Sequence, residues 1–234
     1  MIAREGLPFI LGGLLLTVLS VYFATRFDSR WLFGVGVVFG LLTLFTTFFF
    51  RDPERDFADA PGVLVSPADG KVIGVDTLAA HPFFSGSVTK ISIFLSVFDV
   101  HVNRVPATGT IDYVKYNPGK FFAAFEDKAS ELNEQTEIGM TAANGQRLLF
   151  KQIAGLIARR IVCRLTDGAS VRAGERCGLI RFGSRTELFV PHDSDIRVKT
   201  GDHVAGGRTI IGYLNPSPVS STPFEGKKET RGQL

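Results

Sequence analysis

Gly183-Ser184, within Arg181-Phe182-Gly183-Ser184-Arg185, puts a residue without a Cβ directly before a hydroxyl. Gly183 can adopt backbone angles closed to other residues and leave its carbonyl open to approach. The Ser184 hydroxyl can then attack that carbonyl and exchange the amide for an ester, given a base for the hydroxyl and donors for the oxyanion. A Gly-Ser pair at a strand end is also an ordinary turn, and the dipeptide alone does not decide between the two. His101, in His101-Val102-Asn103-Arg104, follows a strongly apolar stretch. An imidazole there can move a proton near neutral pH, although a lone histidine more often serves as a surface or core residue. Asp69, in Ser66-Pro67-Ala68-Asp69-Gly70, either orients such a group or closes an Asx turn. Arg104 and Arg185 carry guanidinium forks suited to carboxylates and phosphates. Arg185 reads as readily as a solvated strand charge. Asn103 and Lys120 are further polar groups, and His81, His192 and His203 read as loop residues. There is no CxxC, HExxH or Walker pattern, and the spacing of Cys163 and Cys177 matches no metal site. Two buried free thiols in a reducing compartment are the simplest reading.

The elements that must position these groups read mainly as short strands separated by glycine turns. Val63–Val65 and Lys71–Val75 flank the Asp69 turn, and Lys90–Val97 alternates Ile91, Ile93 and Leu95 on one face. Gly109–Tyr116, Gln146–Ile153 and Arg159–Leu165 read as strands, and Lys120–Asn133 as helical. Val171–Cys177 and Val198–Val204 share the pattern V-[RK]-x-G-[ED]-x-apolar. Such a turn places glycine at the bend and an acid where it can bond backbone amides. Each copy leads into a short strand, Gly178–Phe182 and Thr209–Leu214. The pair is either a hammerhead-like repeat or two unrelated hairpin turns. The fold class expected is mainly β (α+β), a β-sandwich or barrel-sandwich-hybrid-like domain over residues 51–214. A Pro/Ser-rich tail over 215–234 is expected to be mobile.

Ahead of that domain, no charge occurs from Leu7 to Thr25 or from Trp31 to Phe50. Roughly 20 apolar residues suffice for a helix to cross a bilayer core. Residues 1–50 therefore read as a helical hairpin in the membrane, spanning or shallow, with Arg26 and Arg30 at its tip. A signal peptide followed by one anchor is the other reading, but its apolar core is usually shorter. Arg4, Arg51 and Arg55 at the open end lean towards cytoplasmic termini. A net charge of +3 is too small to argue for nucleic acid.

The segment Ile180–Pro191, IRFGSRTELFVP, resembles the processing site of the short-form phosphatidylserine decarboxylase family. Further blocks agree in order: Phe49–Arg55 (FFRDPER), Pro67–Gly70 (PADG), Phe94–Pro106 (FLSVFDVHVNRVP), Asn133-Glu134, Gln152–Gly155 with Ala158–Val162, and Gly201–Gly212. The resemblance implies a proenzyme that cuts itself between Gly183 and Ser184. Residue 184 becomes a covalent pyruvoyl group, the only cofactor, and forms a Schiff base with the amine of phosphatidylserine. Loss of CO₂ then yields phosphatidylethanolamine, a step of phospholipid biosynthesis. It further implies two fragments, 1–183 and 184–234, held as a heterodimer that can form a higher homo-oligomer. A lipid substrate accounts for the hairpin and places the protein at the cell membrane, and the charges at the hairpin's open end put the catalytic domain on the cytoplasmic face. His101 and Asp69 become catalytic candidates, and Arg104 and Arg185 candidate substrate contacts.

Longer relatives carry H-x-x-H in the His101 block, where this chain has Arg104. Their Asp-His-Ser arrangement therefore does not transfer whole: either His101 serves both steps or Arg104 does something else. Two other functions suit parts of the same pattern. One is the same reaction on an archaeal-type ether lipid with a serine headgroup. The other is a membrane-tethered hammerhead-like adaptor, against which stand the lack of a coiled coil and of a lysine presented for lipoyl or biotin attachment.

Overall fold

The computed structural model describes residues 1–56, 60–122, 129–156, 160–181 and 184–215. The expected C-terminal tail thus lies almost wholly outside the described residues, as does Gly183.

After a 3₁₀ turn at Arg4–Gly6 come two long helices, α1 (Leu7–Arg26) and α2 (Arg30–Phe49). Each is long and apolar enough to cross a membrane, and most of its surface is unburied. Pro8 sits in the first turn of α1, where its missing N–H costs nothing. Ser29 caps α2 by accepting from the Leu32 amide at 3.4 Å. Thr17, Thr43, Thr46 and Thr47 return their hydroxyls to carbonyls one turn back. Polar side chains can thereby sit in helices otherwise made of Leu, Val and Phe. The two helices pack where Gly13 faces Thr43 and Gly36 faces Val21, small residues permitting close approach.

The remainder is mostly β. In chain order the strands are β1 (Val63–Val65), β2 (Gly70–Leu78), β3 (Val88–Leu95), β4 (Val102–Arg104), β5 (Gly109–Asn117), β6 (Gln135–Ala142), β7 (Arg147–Ile153), β8 (Ile161–Cys163), β9 (Ser170–Val171), β10 (Arg176–Ile180), β11 (Ser184–Pro191), β12 (Asp195–Ile196), β13 (His203–Val204) and β14 (Ile210–Tyr213). Eight form one curled sheet in the order β13-β2-β3-β11-β7-β6-β5-β9, and two three-stranded sheets, β1-β14-β12 and β4-β10-β8, complete the domain. Side chains alternate across the large sheet. Ile91, Ile93 and Leu95 of β3 and Leu188 and Val190 of β11 join Leu64, Ile138 and Phe150 in the main core. Phe189, one residue out of step, packs with Phe83, Val88 and Leu149 on the other face.

The repeat turns behave as their composition suggests. Gly174 and Gly201 both have positive φ, +79° and +102°, and Asp202 accepts from the Lys199 amide at 2.9 Å. The helical expectation over Lys120–Asn133 needs correction. Lys120 to Phe122 is not helical, and the only described helix there is α3 (Ala129–Leu132). Asn133 holds the non-helical backbone instead, accepting from the Phe122 amide and donating to the Phe122 and Ala154 carbonyls. The middle of the expected helix, residues 123–128, lies outside the described residues.

The helical pair is rooted in the β domain. The Ala3 amide donates to the Phe50 carbonyl and the Asp52 amide to the Met1 carbonyl, each at 2.8 Å. Ala3, Phe49 and Phe50 then form a buried cluster with Val100, Val102 and Leu179.

Candidate active site

Strand ends converge at one end of the large sheet. β11 begins at Ser184, paired with Leu95, the last residue of β3. β2 begins at Gly70, and its Lys71 pairs with Phe94. Asp69 therefore stands at the head of β2, two strands across from Ser184. A Cβ on Gly70 would collide with the Phe94 carbonyl oxygen, and φ there is +147°. Only glycine lets this turn close so tightly on β3.

His101 enters from beside this edge. The Arg104 amide donates to the Pro67 carbonyl at 2.8 Å and the Ile180 amide to the His101 carbonyl at 3.3 Å. The His101–Arg104 segment is thus tied to the Asp69 turn on one flank and to the approach to Ser184 on the other. The His101 ring is fully buried, with the Phe49 ring 4.2 Å away. Its Nδ1 lies 3.0 Å from the Asp99 carbonyl oxygen. A carbonyl only accepts, so Nδ1 carries the proton and Nε2 holds the lone pair of the neutral ring. Burial pushes the pKa down to about 4, while the Asp99 carbonyl and the charges of Asp99 and Asp69 pull upward and Arg51 pulls down. At neutral pH the ring is an uncharged base with its basic nitrogen at Nε2.

Asp69 is clamped. Arg55 donates to both carboxylate oxygens, at 2.5 and 2.8 Å, and the Gly206 amide adds a third bond at 2.8 Å. Arg55 also reaches the Gly206 carbonyl. A planar fork on a carboxylate fixes orientation as well as position.

Ser184 itself is fully buried, and its Oγ has no hydrogen-bond partner among the described residues. The same holds for Thr186 Oγ1, Gln152 Oε1 and Asn103 Nδ2. Thr186 lies two residues along β11, on the face of Ser184, with Gln152 of β7 as its cross-strand neighbour. Gln152 in turn donates to Asn103 Oδ1 at 2.8 Å. Buried polar atoms are nearly always paired. A group of orphans beside one hydroxyl marks a place prepared for another polar group.

The two arginines turn away from this place. Arg185 points to the opposite face of β11, where Nη2 donates to Ser92 Oγ at 2.9 Å and pairs with Glu187 at 3.0 Å. The Ser130 hydroxyl donates to the same Glu187 oxygen. At 3% exposure Arg185 is not a solvated strand charge. Arg104 is equally buried and donates to the Gly174 and Pro53 carbonyls, each at 2.9 Å, and to Asp52 at 3.3 Å. Asp52 also receives Arg176 at 2.6 Å. Where a second histidine was expected, then, a guanidinium ties the strand before β5 to the chain leaving α2. Lys120, His192 and His203 are exposed. His81 packs near Phe189. Both cysteines are free, Cys177 buried and Cys163 half-buried, and burial raises both thiol pKa values.

Comparison with known proteins decides the family. A family model described as phosphatidylserine decarboxylase matches residues 42–212. The phosphatidylserine decarboxylase proenzyme of Desulfotalea psychrophila is 45% identical over 213 residues, covering 91% of this chain and 96% of its own. The proenzymes of Syntrophus aciditrophicus and Wolbachia pipientis are 46% and 43% identical, covering 90% and 93% of this chain and 96% and 93% of theirs. The chain belongs to the phosphatidylserine decarboxylase family. It is a carboxy-lyase of phospholipid biosynthesis, and its relatives carry the word proenzyme in their names. The adaptor reading is thereby set aside. Sequence reasoning read Arg55 only as a positive charge at the open end of the hairpin, and gave no role to Phe49 or Gln152. All three lie in blocks that carried the resemblance, but nothing in a one-dimensional pattern says that Arg55 meets Asp69 or that Phe49 covers His101.

Proposed function

We propose that the chain cuts itself between Gly183 and Ser184 and uses the pyruvoyl group formed at residue 184 to decarboxylate phosphatidylserine to phosphatidylethanolamine. The observation that carries this is the Ser184 hydroxyl, buried and partnerless among the described residues, on a strand whose Thr186, on the same face, and its cross-strand neighbour Gln152 also carry orphaned polar atoms. A plain turn would leave such a hydroxyl in water or bonded to its own backbone.

In the cleavage step Ser184 Oγ bonds to the Gly183 carbonyl carbon while His101 Nε2 takes the hydroxyl proton. Asp69, held rigid by Arg55 and Gly206, stabilises the positive charge then carried by His101. We assign the oxyanion to Asn103 Nδ2, a buried donor without a partner among the described residues. The Gly183–Ser184 C–N bond breaks and the nitrogen receives the proton, leaving an ester. Elimination frees the Gly183 carboxylate and leaves dehydroalanine at 184, which takes up water and loses ammonia. The pyruvoyl group has no more heavy atoms than the serine it replaces, so it fits the same buried position. Residues 184–191 remain laddered to β3 and 185–189 to β7, which suits a new chain end that must not move.

The carbonyl at 184 supplies an electron sink for the bond pair left as CO₂ departs. In this reading His101, neutral and packed against Phe49, returns a proton to the carbon that lost it. Thr186 and Asn103 offer donors to the substrate carboxylate. Arg185 and Arg104 act as framework for this site through Glu187 and Asp52. The hairpin over residues 1–50 holds the catalytic domain, residues 51–214, at a membrane on its cytoplasmic face, and fragments 1–183 and 184–234 stay together as a heterodimer.

Ser184→Ala tests this reading. The variant should remain one intact chain and release no CO₂ from phosphatidylserine vesicles. Cleavage of that variant, or CO₂ release without cleavage of the wild type, would overturn it.

A further inference from the structure

Beyond the hairpin, five large apolar side chains stand exposed among the described residues: Phe98, Tyr116, Leu132, Leu156 and Ile210. Scattered apolar surface residues need no explanation, but four of these five are not scattered. The strand register places them together. Ser184 pairs with Leu95 and Arg185 with Ile153, while Ile153 pairs with Gln135 and Gln135 with Asn117. Phe98 lies three residues beyond Leu95, Leu156 three beyond Ile153, Leu132 three before Gln135, and Tyr116 one before Asn117. Phe98, Leu156 and Leu132 therefore lie just beyond the sheet at its Ser184 end, and Tyr116 is the penultimate residue of β5 at that same end. β3 and β5 are four strand steps apart in the sheet order, so the row is about 19 Å wide.

Phe98, the most exposed of the four at 66%, is presented by a braced turn. Asp99 accepts from both the amide and the hydroxyl of Ser96 at 2.8 and 2.7 Å, and the Asp99 amide donates to the Ser96 carbonyl. The turn is also joined to the root of the hairpin. Arg51, just past the end of α2, donates to the Phe98 carbonyl at 2.5 Å and to the Phe48 carbonyl at 2.9 Å, and its guanidinium lies over the Phe48 ring. The exposed apolar surface of α2 thus continues across Arg51 onto Phe98. Three residues further on, the same turn delivers His101 beneath Phe49.

We propose that Phe98, Leu156, Leu132 and Tyr116 form a second lipid-contacting surface, which seats the Ser184 end of the sheet at the boundary between headgroups and acyl chains. It rests on reading the hairpin as a membrane segment, and its partner is the bilayer in which that hairpin sits. Continuity with α2 selects the bilayer over a second copy of the chain. Tyr116 suits that depth, since an amphipathic ring prefers the interface. The surface lets a lipid headgroup reach the buried reactive group at residue 184 without leaving the membrane plane, because the row borders the strand that begins with that residue.

The test uses the full chain in vesicles of phosphatidylcholine and phosphatidylglycerol whose acyl chains are brominated near the headgroup. Trp31 is the only tryptophan. In a Trp31→Phe background, Phe98→Trp reports on the row, and Asp193→Trp reports on the far end of β11, about 24 Å away. Quenching of the indole at position 98, with none at position 193, is the expected result. If native Trp31 is quenched and the indole introduced at position 98 is not, the row does not meet lipid, although the hairpin still does. If neither is quenched, the hairpin reading falls and the proposal falls with it. An indole at position 98 that is shielded from a water-soluble quencher in a detergent-solubilised dimer, yet is not quenched by lipid, would assign the row to a second copy instead. A second readout is the double variant Phe98→Asp/Leu156→Asp. Each lost apolar contact weakens insertion roughly tenfold, so KM for vesicle substrate should rise while turnover of short-chain, water-soluble phosphatidylserine stays as in the wild type. An equal loss on both substrates would mean a folding defect at these positions and would count against the proposal.

Discussion

The burial of His101 makes a quantitative prediction about protons. Its ring is inaccessible to water and packed against Phe49, and its pKa is pushed from 6.5 to about 4. Above pH 6.5 the ring is neutral in both the folded and the unfolded chain. Between 6.5 and about 4 the unfolded chain binds a proton that the folded chain refuses, so stability falls as the pH drops through that window. The span corresponds to about 3 kcal/mol, fully lost by the lower end. The measurement needs an intact chain, which Ser184→Ala is expected to provide. Chemical denaturation of that chain and of Ser184→Ala/His101→Gln, from about pH 8 to about pH 4, should show the histidine form losing about 3 kcal/mol more. A ring titration by NMR, with the His101 signal assigned by its absence in the glutamine variant, should give an inflection near 4 for His101. Phe49→Ala admits water, so the inflection should move up towards 6.5, and loss of the buried ring should cost about 3–5 kcal/mol. An inflection near 6.5 in the unaltered site would overturn this picture, because His101 would then not be a shielded base.

Arg104→His restores the two-histidine spacing of longer relatives but removes the donors to Gly174, Pro53 and Asp52. Breaking a buried charge pair costs about 3–5 kcal/mol, so denaturation should show a large loss of stability and no gain in cleavage rate. Arg55→Ala frees the Asp69 carboxylate. Hydrogen bonds to charged groups are worth about 1.5–3 kcal/mol, so self-cleavage followed by gel should slow roughly 10-fold to 100-fold. Arg55→Lys, with one donor point in place of a fork, should recover only part of that rate.

Several strands were legible as apolar runs bounded by turn residues. Val63–Val65, Gly109–Asn117 and Arg147–Ile153 came out within a residue of their pattern, and the two apolar helices likewise. β6 left no such signal, because its Gln135 and Thr136 are polar yet buried and only Ile138 and Met140 alternate. β4 is three residues long and is specified by its ladder to β10 rather than by its own composition. At the site, residue types announced their chemistry but not their partners. Asp69 and His101 stand apart in sequence, and the Asp69 turn and the His101–Arg104 segment are brought side by side by the bond from the Arg104 amide to the Pro67 carbonyl. Arg185 was legible as a cation beside Ser184, but strand alternation turns it to the opposite face, where Glu187 waits two residues on. Arg104 was legible as a departure, and its task became clear only when the chain leaving α2 brought Asp52 to it.

Everything proposed for the site depends on the chain itself breaking the bond before Ser184, and intact-mass measurement of the purified protein asks that question without intermediaries. Two species are expected, residues 1–183 and residues 184–234, the smaller lacking a free α-amino group and carrying the mass of a pyruvoyl cap in place of serine. A single species of the full 234 residues that stays intact on incubation in detergent or vesicles would rule self-cleavage out.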